Sequence, residues 1–282
     1  MEALIDSHCH LDAPEFDADR EQVLAQARAA GLTGIVVPAY VAARWDGLLA
    51  LCRRHATIAP DSPRLWPALG LHPVHLTSHD EAADLAALAA CLSASADVVA
   101  VGEIGLDRFL PELASEPAWS RQLALFEAQL DLARQHDLPV ILHARRCHEH
   151  IRNSLRRVGH RSGGILHAFS GSVEEARQYV AMGLHLGLGG PLTYPQSARL
   201  RAVAAALPLD ALVIETDAPD LVPFPCRDRH QDGRPRQPGE RVRNSPAWLP
   251  TVLDSFAELR PESREMLAEA FRRNTLRALR LA

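Results

Sequence analysis

Short apolar runs alternate with segments of helical periodicity along most of this chain, and this rhythm limits its fold more than any other feature. About eight apolar runs can be read, from LIDSHCH near the amino end to ALVIETDAP at 211–219. Segments such as REQVLAQARAAG, EAADLAALAACLS and QLALFEAQLDLARQH lie between them and have the spacing of amphipathic helices. Strands that alternate with helices predict a parallel sheet covered by helices. Eight such units in 282 residues predict an α/β fold, the closed (β/α)8 or TIM barrel.

The segment at about 221–244 breaks this rhythm. It is rich in proline, lacks apolar periodicity, and has six arginines against three acidic residues. A long loop with a local charge of about +3 is therefore predicted. It is either a solvated or disordered insertion or a basic loop over a substrate entrance. Because no earlier segment has the composition of a linker, we expect residues 1–282 to form a single TIM-barrel domain that carries this insertion.

Two histidines one residue apart, His8 and His10, stand in the first apolar run. Side chains alternate between the two faces of a strand, so both imidazoles are predicted to point the same way. This spacing suits a pair of metal ligands. The alternative is two histidines that only form hydrogen bonds at a polar strand end.

Further polar side chains stand near the carboxyl ends of later apolar runs. In a barrel these ends meet at one face, where active sites lie. A single histidine in such a place is more often a capping group than a ligand, but several imidazoles and carboxylates together predict a site for one or two divalent ions. Nitrogen and oxygen donors suit Zn, Mn or Mg rather than Cu(I). The residues in question are His72, Glu103, His143, His167 and Asp217.

The chain contains no lysine, since all 30 of its basic residues are arginines. This excludes a Schiff-base enzyme, a phosphate-binding loop with its usual lysine, and a metal bridge made by a carbamylated lysine. The net charge of -5 argues against a surface that is basic throughout, although a local basic patch stays possible. Five cysteines without CxxC spacing suit a reducing compartment. With no signal sequence or long apolar run, we expect a cytoplasmic protein without a membrane segment.

Six motifs follow one another in order and at barrel spacing: DSHCHLD, GLHP, VGEIGLD, LPVILHARR, GILHAFSGS and ETDAPDL. Together they resemble the TatD family of metal-dependent deoxyribonucleases within the amidohydrolase superfamily, from residue 4 to about 220. After the last motif the family commonly shows an NEP triplet, where this chain has NSP at 244–246. The departure is typical of a divergent branch and leaves the choice of substrate open.

The resemblance implies two divalent metal ions (Mg, Mn or Zn) with one bridging carboxylate. One ion would be held by His8, His10, Glu103 and Asp217, and the other by Glu103, His143 and His167. The implied activity is hydrolysis of DNA phosphodiester bonds from the 3' end, a 3'-5' exonuclease that uses a metal-bridged hydroxide.

Roles for individual side chains follow from this chemistry. Asp217 is the candidate general base, and Glu103 is assigned to catalysis as the bridging ligand. His72 and Arg145 are candidates for contacts with the phosphate or the leaving group. Glu215 either orients a ligand or is a polar core residue.

Two other functions stay open at this point. The same ions could activate water against an amide, lactone or other small ester. A noncatalytic metal-binding scaffold is the third hypothesis. DNA is the expected partner, and no obligate protein partner is inferred. Cys9 is assigned to packing.

Overall fold

The structure, a computed structural model, describes residues 2–58 and 62–281, and its strands form one parallel sheet. The strands pair in sequence order from β1 to β8, and every pair is parallel. Each predicted apolar run overlaps one of the eight strands, so the (β/α)8 barrel is confirmed. The strands are β1 (Leu4–Asp6), β2 (Leu32–Pro38), β3 (Arg64–Leu69), β4 (Ala100–Asp107), β5 (Val140–Arg145), β6 (Gly164–Leu166), β7 (Leu184–Leu188) and β8 (Leu212–Ile214).

Helices alternate with the strands and cover the outside of the sheet. None of them, over the part of the chain that is described, is long and apolar enough to cross a membrane. They are α1 (Arg20–Ala29), α2 (Trp45–Ile58), α3 (Glu81–Ala94), α4 (Pro111–Ala114), α5 (Ala118–Gln135), α6 (His148–Val158), α7 (Val173–Val180), α8 (Ala198–Ala206), α9 (Leu249–Ala257) and α10 (Arg264–Ala278).

Apolar side chains fill two layers, one inside the barrel and one between the sheet and the helices. Ile35 and Val36 are neighbours on β2, yet the first packs in the outer layer and the second in the inner one, as strand alternation requires. Trp66 also lies in the inner layer, and a Cβ at Gly34 would come within 2.1 Å of its ring. Cys9 is fully buried in the outer layer, which agrees with its predicted packing role.

The barrel closes at a seam between β1 and β8, which are only three residues long. Just beyond their ends, the Ser7 N–H donates to the Ile214 carbonyl at 3.1 Å and the Asp217 N–H donates to the His8 carbonyl at 2.8 Å. The hydrogen bonds that close the barrel therefore also hold the backbone of two predicted metal ligands.

The segment at 221–244 is largely irregular, as predicted, with one turn of 3-10 helix at Phe224–Cys226. Several of its arginines are paired with acidic side chains. Arg243 lies 2.7 Å from Asp19, and Arg234 lies 3.0 Å from Glu240. The Arg243 pair fastens the segment to the barrel, whereas the Arg234 pair lies within the segment.

Candidate metal centre

The predicted ligands come together at the carboxyl ends of the strands. Glu103 and His143 lie within β4 and β5, whereas the others follow the ends of their strands. His8 and His10 lie beyond β1, so their placement inside a strand was wrong. The buried Asp6 carboxylate accepts the His8 N–H at 3.2 Å and the Thr216 N–H at 2.9 Å, and these side-chain bonds replace the sheet ladder. The two Nε2 atoms nevertheless lie 3.3 Å apart, so the predicted convergence is confirmed.

Glu103 occupies the middle of the cluster and is only 1% exposed. Five imidazoles surround its two carboxylate oxygens. Oε1 lies 3.0 Å from His72 Nε2, 3.1 Å from His167 Nε2 and 3.3 Å from His143 Nδ1, and Oε2 lies 3.2 Å from His8 Nε2 and 3.4 Å from His10 Nε2. No other described carboxylate touches so many histidines, which fits the bridging position that the resemblance implies.

Asp217 enters from the seam, where its φ of 54° holds the backbone in the left-handed region. Its Oδ1 lies 3.5 Å from His8 Nε2 and 3.6 Å from His10 Nε2. Asn244, the first residue of NSP, is fully buried and donates through Nδ2 to the carbonyls of Thr216 at 2.8 Å and Asp220 at 2.6 Å. The triplet therefore holds the segment that carries Asp217.

Three groups of side chains have ligand atoms close enough to share an ion: His8, His10 and Asp217; His8, Glu103 and His167; and His72, Glu103 and His143. Ligands about 2.1 Å from a tetrahedral ion are about 3.4 Å from one another. The spacings of 3.0 to 3.6 Å around Glu103 and Asp217 match that value. His72 was predicted as a substrate contact, but the structure places it among the ligand atoms.

Buried charges in the cluster shift one another. Burial and the neighbouring His167 lower the pKa of His8 well below its usual value. Although burial opposes it, the carboxylates of Glu103 and Asp217 raise the pKa of His167 well above the usual value. The two rings stack with centroids 3.8 Å apart, so a second proton on this pair would be strongly repelled. His8 is therefore available as a neutral ligand.

Burial and neighbouring charges also shift the pKa values of the two carboxylates and of His72 and His10. Burial would raise the pKa of Glu103, but His72, His167 and His8 hold it well below the usual value. Burial raises the pKa of Asp217 to about 6, partly offset by His167 and His10. Burial also lowers the pKa of His72 to about 4, whereas Glu103 overcomes burial and raises the pKa of His10 to about 9.

Several buried polar atoms in the cluster have no hydrogen-bond partner among the described residues. Glu103 Oε2, His8 Nδ1 and His167 Nδ1 are of this kind. The first lies near two imidazole nitrogens, but with poor hydrogen-bond geometry. A buried carboxylate oxygen without a donor is costly, and a cation would satisfy it. Donor types, spacing and the unsatisfied oxygen together fit a divalent metal ion.

Asp107 is a site residue that the sequence interpretation missed. Its Oδ2 lies 3.0 Å from His143 Nε2, and its Oδ1 accepts the N–H groups of Phe109 at 2.7 Å and Leu110 at 3.2 Å. It therefore fixes the ring so that Nδ1 faces Glu103, an arrangement common for metal-binding histidines. A signal was present, because residues four apart on a strand share a face and VGEIGLD contains both carboxylates.

Glu215, left open between two roles, lies next to a ligand. Its Oε1 accepts the Ala168 N–H at 2.5 Å and lies 3.6 Å from His167 Nδ1. Gly187 makes room for it, since a Cβ there would come within 2.1 Å of Glu215 Oε2. The carboxylate therefore supports the turn that positions His167.

A cavity of about 660 Å³ opens above the cluster. His72 and Arg145, the two predicted substrate contacts, both line it. No arginine of 221–244 is among its lining residues, so the alternative of a basic loop over the entrance finds no support at this cavity. All of those arginines except Arg229 pair with acidic side chains of the described residues.

Comparison with known proteins gives one consistent result. The model of the family described as TatD related DNase matches residues 5–280. The metal-dependent hydrolase YjjV of Escherichia coli K12 is 39% identical over 96% of this chain and 95% of its own. The 3'-5' ssDNA/RNA exonuclease TatD of Erwinia amylovora is 34% identical over 94% of this chain and 95% of its own.

A solved structure agrees with these relatives. The crystal structure of YjjV, a TatD homologue from Escherichia coli K12, superimposes with a TM-score of 0.84 at 38% identity, and the match covers 99% of this chain and 98% of that one. The resemblance based on six motifs is confirmed, and the likeness extends past the predicted limit near residue 220 to residue 280.

Proposed function

Because this chain belongs to the family of TatD-related DNases and is a metal-dependent hydrolase of ester bonds, we propose that it removes nucleotides from the 3' end of DNA. The observation that carries this proposal is the cluster around Glu103, in which five imidazoles surround one buried carboxylate at the floor of an open cavity. Its donors suit two divalent ions, Mg, Mn or Zn, in the groups already described.

Bound divalent ions would supply two effects, a lower pKa for a bound water and neutralisation of charge on the phosphoryl oxygens. The remaining steps belong to the protein. Asp217 takes the proton of the attacking water at its carboxylate oxygens. Its Oδ1 lies 3.5 Å from His8 Nε2 and 3.6 Å from His10 Nε2, so the carboxylate is within the group of side chains that would hold the ion and its water. Glu103 holds the ligands in register from the centre of the cluster.

The two lining residues predicted as substrate contacts have different roles in this proposal. Arg145 is exposed at the end of β5 and forms no ion pair with any described residue, so its guanidinium is free for a phosphate. His72 has a pKa of about 4 and is neutral at pH 7, which makes it a fourth ligand or a hydrogen-bond partner rather than a source of positive charge.

The test removes metal from the protein and restores Mg, Mn or Zn one at a time. Shortening of end-labelled DNA from its 3' end is expected, with loss of this activity in Glu103→Gln and retention in Glu265→Gln, an exposed glutamate of α10. Turnover confined to lactones or amides would refute the substrate class. Metal binding without any turnover would favour the noncatalytic scaffold.

A further inference from the structure

A second cavity of about 450 Å³ lies beside the cavity above the Glu103 cluster, on the same face of the barrel. Its three arginines come from three different strand-to-helix segments. Arg108 follows β4, Arg146 follows β5, and Arg199 lies in the first turn of α8, after β7. All three are exposed, and none forms an ion pair or a side-chain hydrogen bond with any residue that the structure describes. We call this the basic cavity.

The unpaired arginines of the basic cavity differ from the arginines of the 221–244 segment. Those of the 221–244 segment mostly pair with acidic side chains, whereas these three keep their charge available. Two glutamates, Glu149 and Glu175, also line the basic cavity. The second is already engaged, because its Oε2 accepts the Ser172 N–H at 2.9 Å in a helix cap. Three arginines against two glutamates give the lining a formal charge of +1.

The two cavities share a border. Ser170 lines both of them, and the consecutive residues Arg145 and Arg146 line one each. Arg146 has a φ of 58°, in the left-handed region that a side chain disfavours. This turn lets two successive guanidinium groups serve two neighbouring cavities. The Arg108 N–H donates to the Arg145 carbonyl at 2.9 Å and ties the β4 and β5 loops together at the border.

Phe109, the residue after Arg108, has 40% of its surface exposed, which is unusual for a large apolar side chain among the described residues. The guanidinium carbon of Arg145 lies 3.5 Å from its ring centre, and that of Arg146 lies 4.7 Å away. An exposed aromatic ring flanked by free guanidinium groups is the arrangement that proteins use to stack an unpaired base and hold its phosphates.

Two acidic residues line the opposite side of the cavity above the Glu103 cluster. Glu15 follows β1 and Asp220 follows β8, and both are exposed lining residues. In the strand order, β1 and β8 lie across the barrel from β4 and β5. Asp220 is paired with Arg241, whereas Glu15 forms no ion pair with any described residue. The unpaired charge is therefore negative on the seam side and positive on the side of the arginines, which favours a polyanion on the latter side.

We propose that the basic cavity binds the single-stranded DNA on the 5' side of the bond to be cut, with a phosphate held by Arg146 and Arg199 and a base stacked on Phe109. This inference rests on the proposed function for its direction, because a strand cut at its 3' end must extend away from the metal centre toward its 5' end. It assigns recognition of the adjoining nucleotides to the loops after β4, β5 and β7.

The test measures binding by fluorescence anisotropy with the metal-loaded full chain and a labelled single-stranded DNA decamer whose phosphorothioate linkages resist cleavage. Arg146→Ala/Arg199→Ala is expected to weaken binding about tenfold at low salt. It should also flatten the plot of log K against log[salt] by about 0.7 per lost phosphate contact. The matched control is Arg28→Ala/Arg161→Ala, two exposed and unpaired arginines that precede β2 and β6 at the opposite end of the barrel.

The contribution of the ring is tested separately. Phe109→Leu keeps an apolar side chain under Arg145 but removes the stacking surface, and it is expected to weaken binding about fivefold or more. A duplex of the same sequence should bind less well than the single strand, because its bases are not free to stack. Equal binding of duplex and single strand would overturn the role given to Phe109.

Two further readouts separate this inference from the proposed function. Bis(p-nitrophenyl) phosphate has one diester and no neighbouring phosphate, so failure of the wild type to hydrolyse it refutes the proposed function while the anisotropy result still decides the basic cavity. For hydrolysable DNA, the ratio of KM for a dinucleotide to KM for a decamer should fall toward 1 in Arg146→Ala/Arg199→Ala. An unchanged affinity in that variant, or an equal loss in the control, would overturn the inference.

Discussion

Replacing Asp107 with asparagine tests whether the metal centre depends on a residue that does not itself face the ion. In the protein, Asp107 Oδ2 lies 3.0 Å from His143 Nε2, while Oδ1 accepts two backbone N–H groups of the following loop. The amide oxygen of Asp107→Asn can still accept the two loop N–H groups. Its amide nitrogen, however, cannot accept a hydrogen bond from the imidazole N–H. The variant thus removes one charge-assisted hydrogen bond and leaves the loop in place.

The expected loss can be given a magnitude. Removing the partner that orients a metal-binding histidine lowers metal affinity by about 10- to 100-fold, which corresponds to about 1.4 to 2.8 kcal/mol. The pKa of His143, which Asp107 and Glu103 raise against the effect of burial, should fall as well.

Calorimetric titration of the metal-free protein with Zn or Mn measures this effect. Asp97→Asn is the matched control, because it removes a carboxylate that pairs with Arg53 on the surface. Circular dichroism checks that both variants are folded. An affinity that is unchanged in Asp107→Asn, or reduced equally in the control, would refute the argument that Asp107 orients His143.

Three further changes test the site and its support. Glu103→Gln should reduce hydrolysis of bis(p-nitrophenyl) phosphate at least about a hundredfold with the fold intact; retention of activity would exclude a bridging carboxylate. Burial raises the pKa of Asp6 from 3.8 to about 8, so the folded state keeps a proton that the unfolded chain releases above about pH 4. The free energy of unfolding therefore falls between about pH 4 and 8. In metal-free Asp6→Asn, urea titrations should show a weaker fall over that range, and an identical pH dependence would contradict the argument. Gly187→Ala should cost about 1 to 3 kcal/mol in urea unfolding, because its Cβ would meet Glu215, whereas Gly47→Ala meets nothing within 4 Å and should not destabilise.

The sequence was sufficient to predict the barrel and the side chains that converge on its face. Eight apolar runs at regular spacing determine a parallel (β/α)8 order, and the strand ends then share one face whatever the details of each loop. The convergence of His8 and His10 was predicted for a reason that does not hold in detail, since both follow β1 rather than belonging to it. The prediction succeeded because the seam brings the same segment to the centre.

The parts that the sequence did not predict depend on contacts between distant segments. The arginine content of 221–244 predicted a positively charged loop and left open whether it covers the entrance, but Asp19 and Asp220, outside that segment, pair with Arg243 and Arg241. Pairing of this kind cannot be read from the composition of one segment. The basic cavity is the converse case, because Arg108, Arg146 and Arg199 are spread along the chain and only the barrel brings them together.

The seam between the first and last strands has a consequence for the order of folding. Cys9 Sγ contacts the Ala218 carbonyl across 209 residues of sequence, and a predicted metal ligand is adjacent to each of them in the chain. Contacts of such high contact order form late, because the intervening chain must already be compact before its ends can meet at a small entropic cost. A nascent chain that still lacks β8 cannot assemble the metal centre, however much of the barrel it has formed. If Asp217 is a metal ligand, as proposed, we expect hydrolytic competence only after the last strand docks, and we expect incomplete chains to be inactive.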